Sequence, residues 1–409
     1  MTRNMPLVLI SNPKCGDGQG HTFVRQHVVP LLAQHGVRVD KQIVTTAAGQ
    51  AGSEFLMFID QFKDSEQTRV QVSLVLASGD GTLHEIVDAV YRAEFVRPLH
   101  ISVALVPTGT ANALYSSLFA STLASLQAGK ITSLDYKLCS VKSLLRNQND
   151  VVPLTITKAT VRSPSHATAT EHFSAVVTST ALHASILHDS ESLREQVPGL
   201  SRFKIAAEKN ISRWYPSTVS FRPSQGDELT IYDHRVGKFV GFAGDNNNPA
   251  EPTIHGPFSY FVSTVNVDRL EPSFVISPLY SRIRPRRSAM DITVIRPHRD
   301  PAILGDSEDD RIRFANRLGT ALQAAYRDGA HIALNYFDDG STSEVKVRGE
   351  FSFRSLVEYI RCTGSWRWIN TGTEATHLCV DGTIVTIEAG GEAECQIIDT
   401  STLRFDMFV

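Results

Sequence analysis

The sequence predicts an α/β fold that is followed by a β-rich region. In the first third, short apolar runs typical of buried strands alternate with stretches whose apolar residues recur at helical spacing. This alternation favours a parallel sheet with right-handed helical crossovers. Later in the chain, predicted strands follow one another with few helices between them, which indicates a second, β-rich domain. The expected domains are residues 1–132 and residues 133–409.

The first predicted strand, residues 6–11, leads into a glycine-rich loop. Glycines at 16, 18 and 20 allow the backbone to fold tightly and to turn its amides inward, as phosphate-binding loops do. The loop is not a Walker A motif, because no Gly-Lys-Ser/Thr closes it, and it is not a G-x-G-x-x-G dinucleotide motif. A flexible surface turn remains an equal interpretation.

The central stretch of the chain is an apolar strand at residues 74–77, a turn of sequence SGDGT at residues 78–82, and an amphipathic helix. This pattern places Asp80 at the carboxyl end of a strand, just before a helix N-terminus. Ligands bind at that edge of open α/β sheets, and the exposed amides favour phosphate. A carboxylate there indicates a role toward a metal or a substrate hydroxyl. The alternative is that Asp80 is simply an N-cap.

A further strand, residues 100–106, ends in a second glycine turn at residues 107–114. A strand at residues 37–46 completes four strands, so three polar turns are expected at one sheet edge. Residues 136–144 are predicted as the first strand of the second region. The tail from about residue 344 to residue 409 alternates as in an antiparallel sheet.

Composition restricts the function classes. The chain has 409 residues, 42% hydrophobic and 20% charged, with a net charge of -3, so nonspecific nucleic-acid binding is not expected. Apolar runs are too short for a membrane span, and the N-terminus lacks a signal-peptide pattern. The five cysteines show no metal spacing and are odd in number, which favours free thiols. We expect a cytoplasmic protein that associates peripherally with membranes; its oligomeric state is left open.

The three turns, residues 12–20, 78–85 and 107–114, resemble those of the diacylglycerol kinase catalytic domain, in particular its sphingosine kinase and ceramide kinase branch. The resemblance implies an N-terminal Rossmann-like nucleotide-binding lobe and a C-terminal antiparallel β-sandwich lobe, as in NAD kinase and diacylglycerol kinase. It also implies ATP and Mg²⁺ as cofactors, and a sphingoid base, ceramide or diacylglycerol as the lipid substrate.

Individual residues match functional positions of that family. Asp80 matches the general base, and Ser78 and Asp80 are expected at the substrate, with Asp189 as the candidate for the lipid head group. Asp189 is equally well explained as the N-cap of a following helix. The expected nucleotide-binding residues are Asn12, Pro13, Lys14, Gly16, Gly18, Thr46, Gly79, Gly81, Thr82, Glu85, Gly109, Thr110, Asn112, Arg194, Arg202, Asp381 and Thr383.

Three points stay open at the level of sequence. Arg194 and Arg202 are also explained as solvated helix arginines. Thr383 stands where the family often has glutamate, so this contact is in doubt. The alternative functions are an NAD kinase-like enzyme and a catalytically silent lipid- or nucleotide-binding relative, and no metal ligand set or specific lipid can be named.

Overall fold

A computed structural model of the chain describes residues 5–62, 68–146, 150–193, 196–197, 199, 201–344 and 354–409. These residues form two compact units. The first extends to Ile156 and includes residues 270–272 and 398–409, and the second contains the rest. The expected boundary after residue 132 therefore falls inside the first unit.

The strands in chain order are β1 (Leu7–Ser11), β2 (Lys41–Val44), β3 (Val70–Ser78), β4 (Leu99–Pro107), β5 (Val151–Pro153), β6 (Thr157–Arg162), β7 (Thr170–Ser174), β8 (Val177–Thr180), β9 (Ser217–Arg222), β10 (Thr230–Asp233), β11 (Lys238–Gly241), β12 (Thr253–His255), β13 (Tyr260–Thr264), β14 (Met290–Ile295), β15 (Asn335–Tyr336), β16 (Thr342–Ser343), β17 (Arg354–Ser355), β18 (Glu358–Cys362), β19 (Ser365–Asn370), β20 (Thr376–Val380), β21 (Thr383–Ile387), β22 (Glu392–Ile397) and β23 (Leu403–Phe408).

The α-helices are α1 (Gly20–Phe23), α2 (Val29–Gln34), α3 (Gln50–Asp60), α4 (Asp80–Arg92), α5 (Ala113–Leu118), α6 (Ala120–Gln127), α7 (Ser133–Lys137), α8 (Cys139–Arg146), α9 (Ala181–Ser192), α10 (Ser201–Asn210), α11 (Pro278–Arg282) and α12 (Glu308–Ala325). A π-helical turn, Val24–Val28, connects α1 to α2.

The first unit is built on a six-stranded sheet in the order β2-β1-β3-β4-β23-β5. The first five of these strands are parallel, and β5 runs antiparallel to β23. All five residues of β1 are buried, since helices cover the sheet, and such strands read as continuous apolar runs. The predicted parallel α/β sheet is confirmed.

The prediction of a strand at residues 136–144 is wrong, because this segment forms α7 and α8. Leu138, Val141 and Leu144 recur every third residue and pack into the core of the first unit. The Thr132 hydroxyl accepts a hydrogen bond from the Asp135 amide (3.1 Å) and so caps α7.

The expectation of an antiparallel tail is wrong for its last strand. β23 pairs in parallel with β4, with Leu403 opposite Leu99. Because β4 lies some 300 residues earlier in the chain, the local sequence pattern of β23 cannot predict this pairing.

The second unit contains two large antiparallel sheets. Their orders are β11-β10-β18-β14-β13-β8-β20-β21 and β12-β9-β19-β22-β6-β7, and β16-β15-β17 form a small third sheet. Phe261 of the first sheet packs on Trp366 and Trp368 of the second, with ring centroids 5.0 and 5.5 Å apart. The two sheets thus share one core, as the β-sandwich expectation requires.

Within the part of the chain that the structure describes, no helix is long and apolar enough to cross a membrane.

Ser140 provides a test of the packing of α8 on the first sheet. Its hydroxyl donates to the Phe408 carbonyl (2.7 Å) and accepts from the Leu105 amide (3.1 Å). Ser140→Ala leaves that buried amide unpaired, and we expect a loss of about 1–3 kcal/mol of stability in denaturant unfolding. Ser125→Ala removes a hydroxyl that is only partly buried and donates to the Ser121 carbonyl (3.0 Å) within its own helix, and it should change stability by less than about 0.5 kcal/mol. Equal losses of stability in the two variants would show that the Ser140 hydrogen bonds do not anchor α8 on the sheet.

Candidate active site

Three turns meet at the carboxyl edge of the first sheet, after β1, β3 and β4. The Asn12 side-chain amide donates to the Thr82 hydroxyl (3.1 Å), and the Ser78 hydroxyl donates to the same atom (2.6 Å). Ser78 and Thr82 are both buried. The Thr82 hydroxyl therefore joins the first turn to the second, and Thr82 reaches this edge from the first turn of α4.

The second and third turns touch through their backbones. A Cβ atom added to Gly109 would lie 2.3 Å from the Cα atom of Gly79, so no side chain fits between them. Gly16 has φ +56, and a Cβ atom there would lie 2.2 Å from the Thr108 carbonyl oxygen. Glycine is thus required at Gly109 by space, and at Gly16 by space and conformation.

Asp80 is the first residue of α4, and its half-buried carboxylate reaches the next helix. Oδ2 accepts a hydrogen bond from the Ala113 amide (2.7 Å), and Oδ1 accepts one from the Leu114 amide (3.1 Å). The interpretation of Asp80 as the N-cap of its own helix is wrong, since Gly79 occupies that position. The carboxylate instead satisfies the first amides of α5, where negative charge is favoured.

Asn112 closes the third turn in the left-handed conformation, with φ 51. Its side-chain oxygen accepts from the Gly109 amide (2.9 Å), and its side-chain nitrogen donates to the Gly109 carbonyl (2.8 Å). Asparagine tolerates this conformation better than most residues. The turn is therefore held from both sides, by Asn112 and by Asp80.

Lys14 ties the first turn to the segment after β2. Its ammonium donates to the Thr46 carbonyl (2.9 Å), and the Thr46 hydroxyl donates to Gln50 (3.0 Å). Glu85 is partly buried on α4, and its carboxylate has no hydrogen bond or ion pair within the described residues. The remaining predicted residues of this edge, Pro13, Gly18, Gly81 and Thr110, lie on the same three turns or at the start of α4, and all but Pro13 are exposed.

The predicted residues Asp381 and Thr383 lie in the second unit. The buried Asp381 carboxylate accepts hydrogen bonds from the Ser174 hydroxyl (2.7 Å) and from three successive amides, at 2.7, 3.0 and 2.7 Å. It therefore fixes the connection between β7 and β8. Thr383 is exposed at the start of β21. Nucleotide binding by either residue stays a prediction.

Arg202 lies in the first turn of α10, where its guanidinium is 4.7 Å from the ring centroid of Phe203. Arg194 lies outside the described residues.

Asp189 lies inside α9, so its interpretation as an N-cap is wrong. Its carboxylate accepts hydrogen bonds, each 2.9 Å long, from Lys209, Asn210 and His188. Burial raises the pKa of the Asp189 carboxyl, but the hydrogen bonds from Lys209, Asn210 and His188 outweigh it and hold that pKa well below its usual range. Its role at a lipid head group stays a prediction.

Residues that the sequence interpretation did not single out complete the edge. The buried Ser11 hydroxyl lies 3.2 Å from His21 Nδ1, and the Cys15 thiol lies 3.0 Å from the Asn12 carbonyl and 3.3 Å from that of Thr108. In the sequence, these three residues are marked as site residues only by their position next to Asn12, Gly16 and Gly20.

The edge fits a phosphate group better than a preformed metal cage. Gly81, in the first turn of α4, has open space where a Cβ atom would be, so a ligand has access to this helix N-terminus. The described residues contain no group of three or more His, Cys, Asp or Glu placed to hold a metal ion. Mg²⁺ usually needs only one or two carboxylates when phosphates complete its coordination, and this edge offers Asp80, Glu85 and the exposed Asp17 of the first turn.

Comparison with known proteins agrees with this geometry. Residues 6–141 match the diacylglycerol kinase catalytic domain. The resemblance seen in the three turns is thereby confirmed for this segment. Human sphingosine kinase 1 is 28% identical over 119 residues, which are 29% of this chain and 29% of that protein. The chain thus matches less than a third of this relative, and the match supports a sphingosine kinase-like branch.

Two solved structures that the chain resembles have low sequence identity to it. A putative diacylglycerol kinase from Bacillus anthracis str. Sterne is 15% identical, with a TM-score of 0.47, covering 100% of this chain and 99% of that one. Yeast NADH kinase complexed with NADH is 10% identical, with a TM-score of 0.32, covering 100% and 85%.

The close approach of the two glycine turns predicts opposite effects of an added methyl group at Gly109 and at Gly81. Gly109→Ala places a methyl group against the Gly79 backbone, so we expect overpacking to cost about 1–3 kcal/mol and ATP binding to be lost in calorimetry. Gly81→Ala meets open space in a helix, where alanine is favoured, and should keep or raise the melting temperature. A stable Gly109→Ala variant with unchanged ATP affinity would contradict the role of this contact.

Proposed function

We propose that the chain is an ATP-dependent lipid kinase that transfers the γ-phosphate to a hydroxyl of a sphingoid base, ceramide or diacylglycerol. The observation that carries this proposal is the Asp80 carboxylate, which two backbone amides hold beside the three glycine-containing turns, in a segment that matches a diacylglycerol kinase catalytic domain.

Asp80 is suited to the role of general base by its position. The amides of Ala113 and Leu114 orient its carboxylate, so the group does not need to be ordered during the reaction. It would accept the proton of the lipid hydroxyl as that oxygen attacks the phosphorus atom. Bound ATP and Mg²⁺ would supply the transferable phosphoryl group and neutralise its developing charge.

The surrounding residues would bind and orient the nucleotide. The N-terminus of α4 and the accessible Gly81 offer backbone amides to phosphate. Lys14 would bring the positive charge, since among the described residues its ammonium donates only to the Thr46 carbonyl. Thr82 is buried, so we assign it the positioning of Asn12 and Ser78 rather than direct contact.

Asp80→Asn tests the base. The substitution keeps the size of the side chain but removes the proton acceptor, so turnover should fall on the order of 10² to 10⁴-fold. It also weakens the cap of α5, at a cost of about 1 kcal/mol. The matched control is Asp40→Asn, because the Asp40 carboxylate also accepts from a backbone amide, that of Leu7 (2.8 Å), at the other end of β1. Near-normal turnover of Asp80→Asn, or an equal loss in Asp40→Asn, would reject Asp80 as the base.

The acceptor is identified by incubating the protein with radiolabelled ATP and a panel of sphingosine, ceramide, diacylglycerol and NAD. Incorporation of label into one of the lipids is the expected result. Label in NAD alone would replace the proposed function with that of an NAD kinase-like enzyme. Label in none of them, with ATP still bound, would favour a silent relative.

A further inference from the structure

A strongly basic segment of the second unit begins at the last residue of α11 and ends before β14. Residues 282–287, of sequence RIRPRR, contain four arginines, and all four are exposed. This concentration of positive charge occurs in a chain whose net charge is -3. The segment has no part in the proposed active site.

Only part of this charge is neutralised. Arg282 donates to Asp328 (2.7 Å), and Arg287 lies 3.5 Å from Asp227. Arg284 adjoins the Tyr280 hydroxyl, which carries no negative charge at neutral pH. Arg286 has no ion pair or hydrogen bond within the described part of the chain. The segment therefore keeps a positive field at the surface.

The segment adjoins the β10–β11 hairpin. Arg361 joins the two, since its guanidinium donates to the Ile283 carbonyl (2.7 Å) and lies 4.3 Å from the ring centroid of Phe239. The Ile283 and Phe239 side chains also pack on the same small core. Residues 235–240 of the hairpin and residues 282–287 thus form one surface, which we call the basic face.

The hairpin adds exposed apolar side chains to this charge. Val236 is 58% exposed and Val240 is 41% exposed. In the sequence, Arg235 precedes Val236, and Lys238 lies between the two valines. Arg235 is paired with Asp233. Cationic side chains next to exposed valines match the interface of a bilayer, where anionic head groups lie over apolar chains.

We propose that the basic face docks the protein on an anionic lipid bilayer, a proposal that rests on the proposed function because a bilayer is where its substrate is found. Each arginine near such a surface contributes about 1 kcal/mol, which is about fivefold in affinity. A nucleic acid would also attract the arginines, but its backbone offers the valines no apolar partner, so the lipid surface is favoured.

The test is co-sedimentation, without ATP, with phosphatidylcholine vesicles that contain or lack phosphatidylserine. Wild type should bind the phosphatidylserine vesicles more tightly, and salt should weaken this binding. Arg286→Gln/Arg287→Gln should reduce it by about fivefold per arginine. Val236→Ser should weaken binding and leave its salt dependence unchanged.

The matched control is Arg162→Gln/Arg222→Gln. It removes the same charge from exposed arginines on the other large sheet, where each pairs with a glutamate, and it should bind like wild type. Equal binding by the basic-face variant and wild type, or no preference for phosphatidylserine, would overturn the proposal. So would capture of an oligonucleotide in place of vesicles.

Kinase activity of the same variants on detergent-solubilised lipid separates the two proposals. We expect the basic-face variant to retain wild-type turnover there. A wild type that binds vesicles but phosphorylates no lipid would reject the proposed function alone.

Discussion

The backbone contact between Gly79 and Gly109 is the constraint on which the candidate site depends. Adjacent parallel strands end side by side, but their following turns can only touch if neither carries a side chain at the contact. This contact brings the start of α4 next to the start of α5. Asp80 can then reach two amides of the neighbouring helix, and the site acquires a carboxylate of fixed orientation.

Two aspartates of this chain make the same kind of hydrogen bond in different surroundings. Asp80 and Asp381 are both carboxylates that accept hydrogen bonds from successive backbone amides. Asp381 is buried and also binds the Ser174 hydroxyl, so its acceptor positions are used within the fold. Asp80 is half-buried at an open sheet edge, which leaves it accessible to a substrate proton. Exposure, rather than the hydrogen-bond pattern, distinguishes the candidate catalytic group.

Local patterns in the sequence predicted the parallel sheet and the three turns, because strand, glycine turn and helix follow one another within about twenty residues. Features set by distant contacts were not predictable: β23 joins the first sheet through β4, and Asp189 is paired with residues of α10. The sequence predicts a strand at residues 136–144, where α7 and α8 lie, because apolar residues are frequent in this short segment. The hydrogen-bond partners of Asp381 and Thr82 depend on how the folded chain packs, so the spacing of residues in the sequence does not predict them.

Hydrogen–deuterium exchange with and without ATP and Mg²⁺ tests most directly whether the three turns form one phosphate site. Amides of residues 12–20, 78–82 and 107–114 should become protected together, since the turns are joined through Thr82 and through the Gly79–Gly109 contact. The strand ends opposite this edge should exchange as before. Protection of a single turn, or of none, would contradict the account.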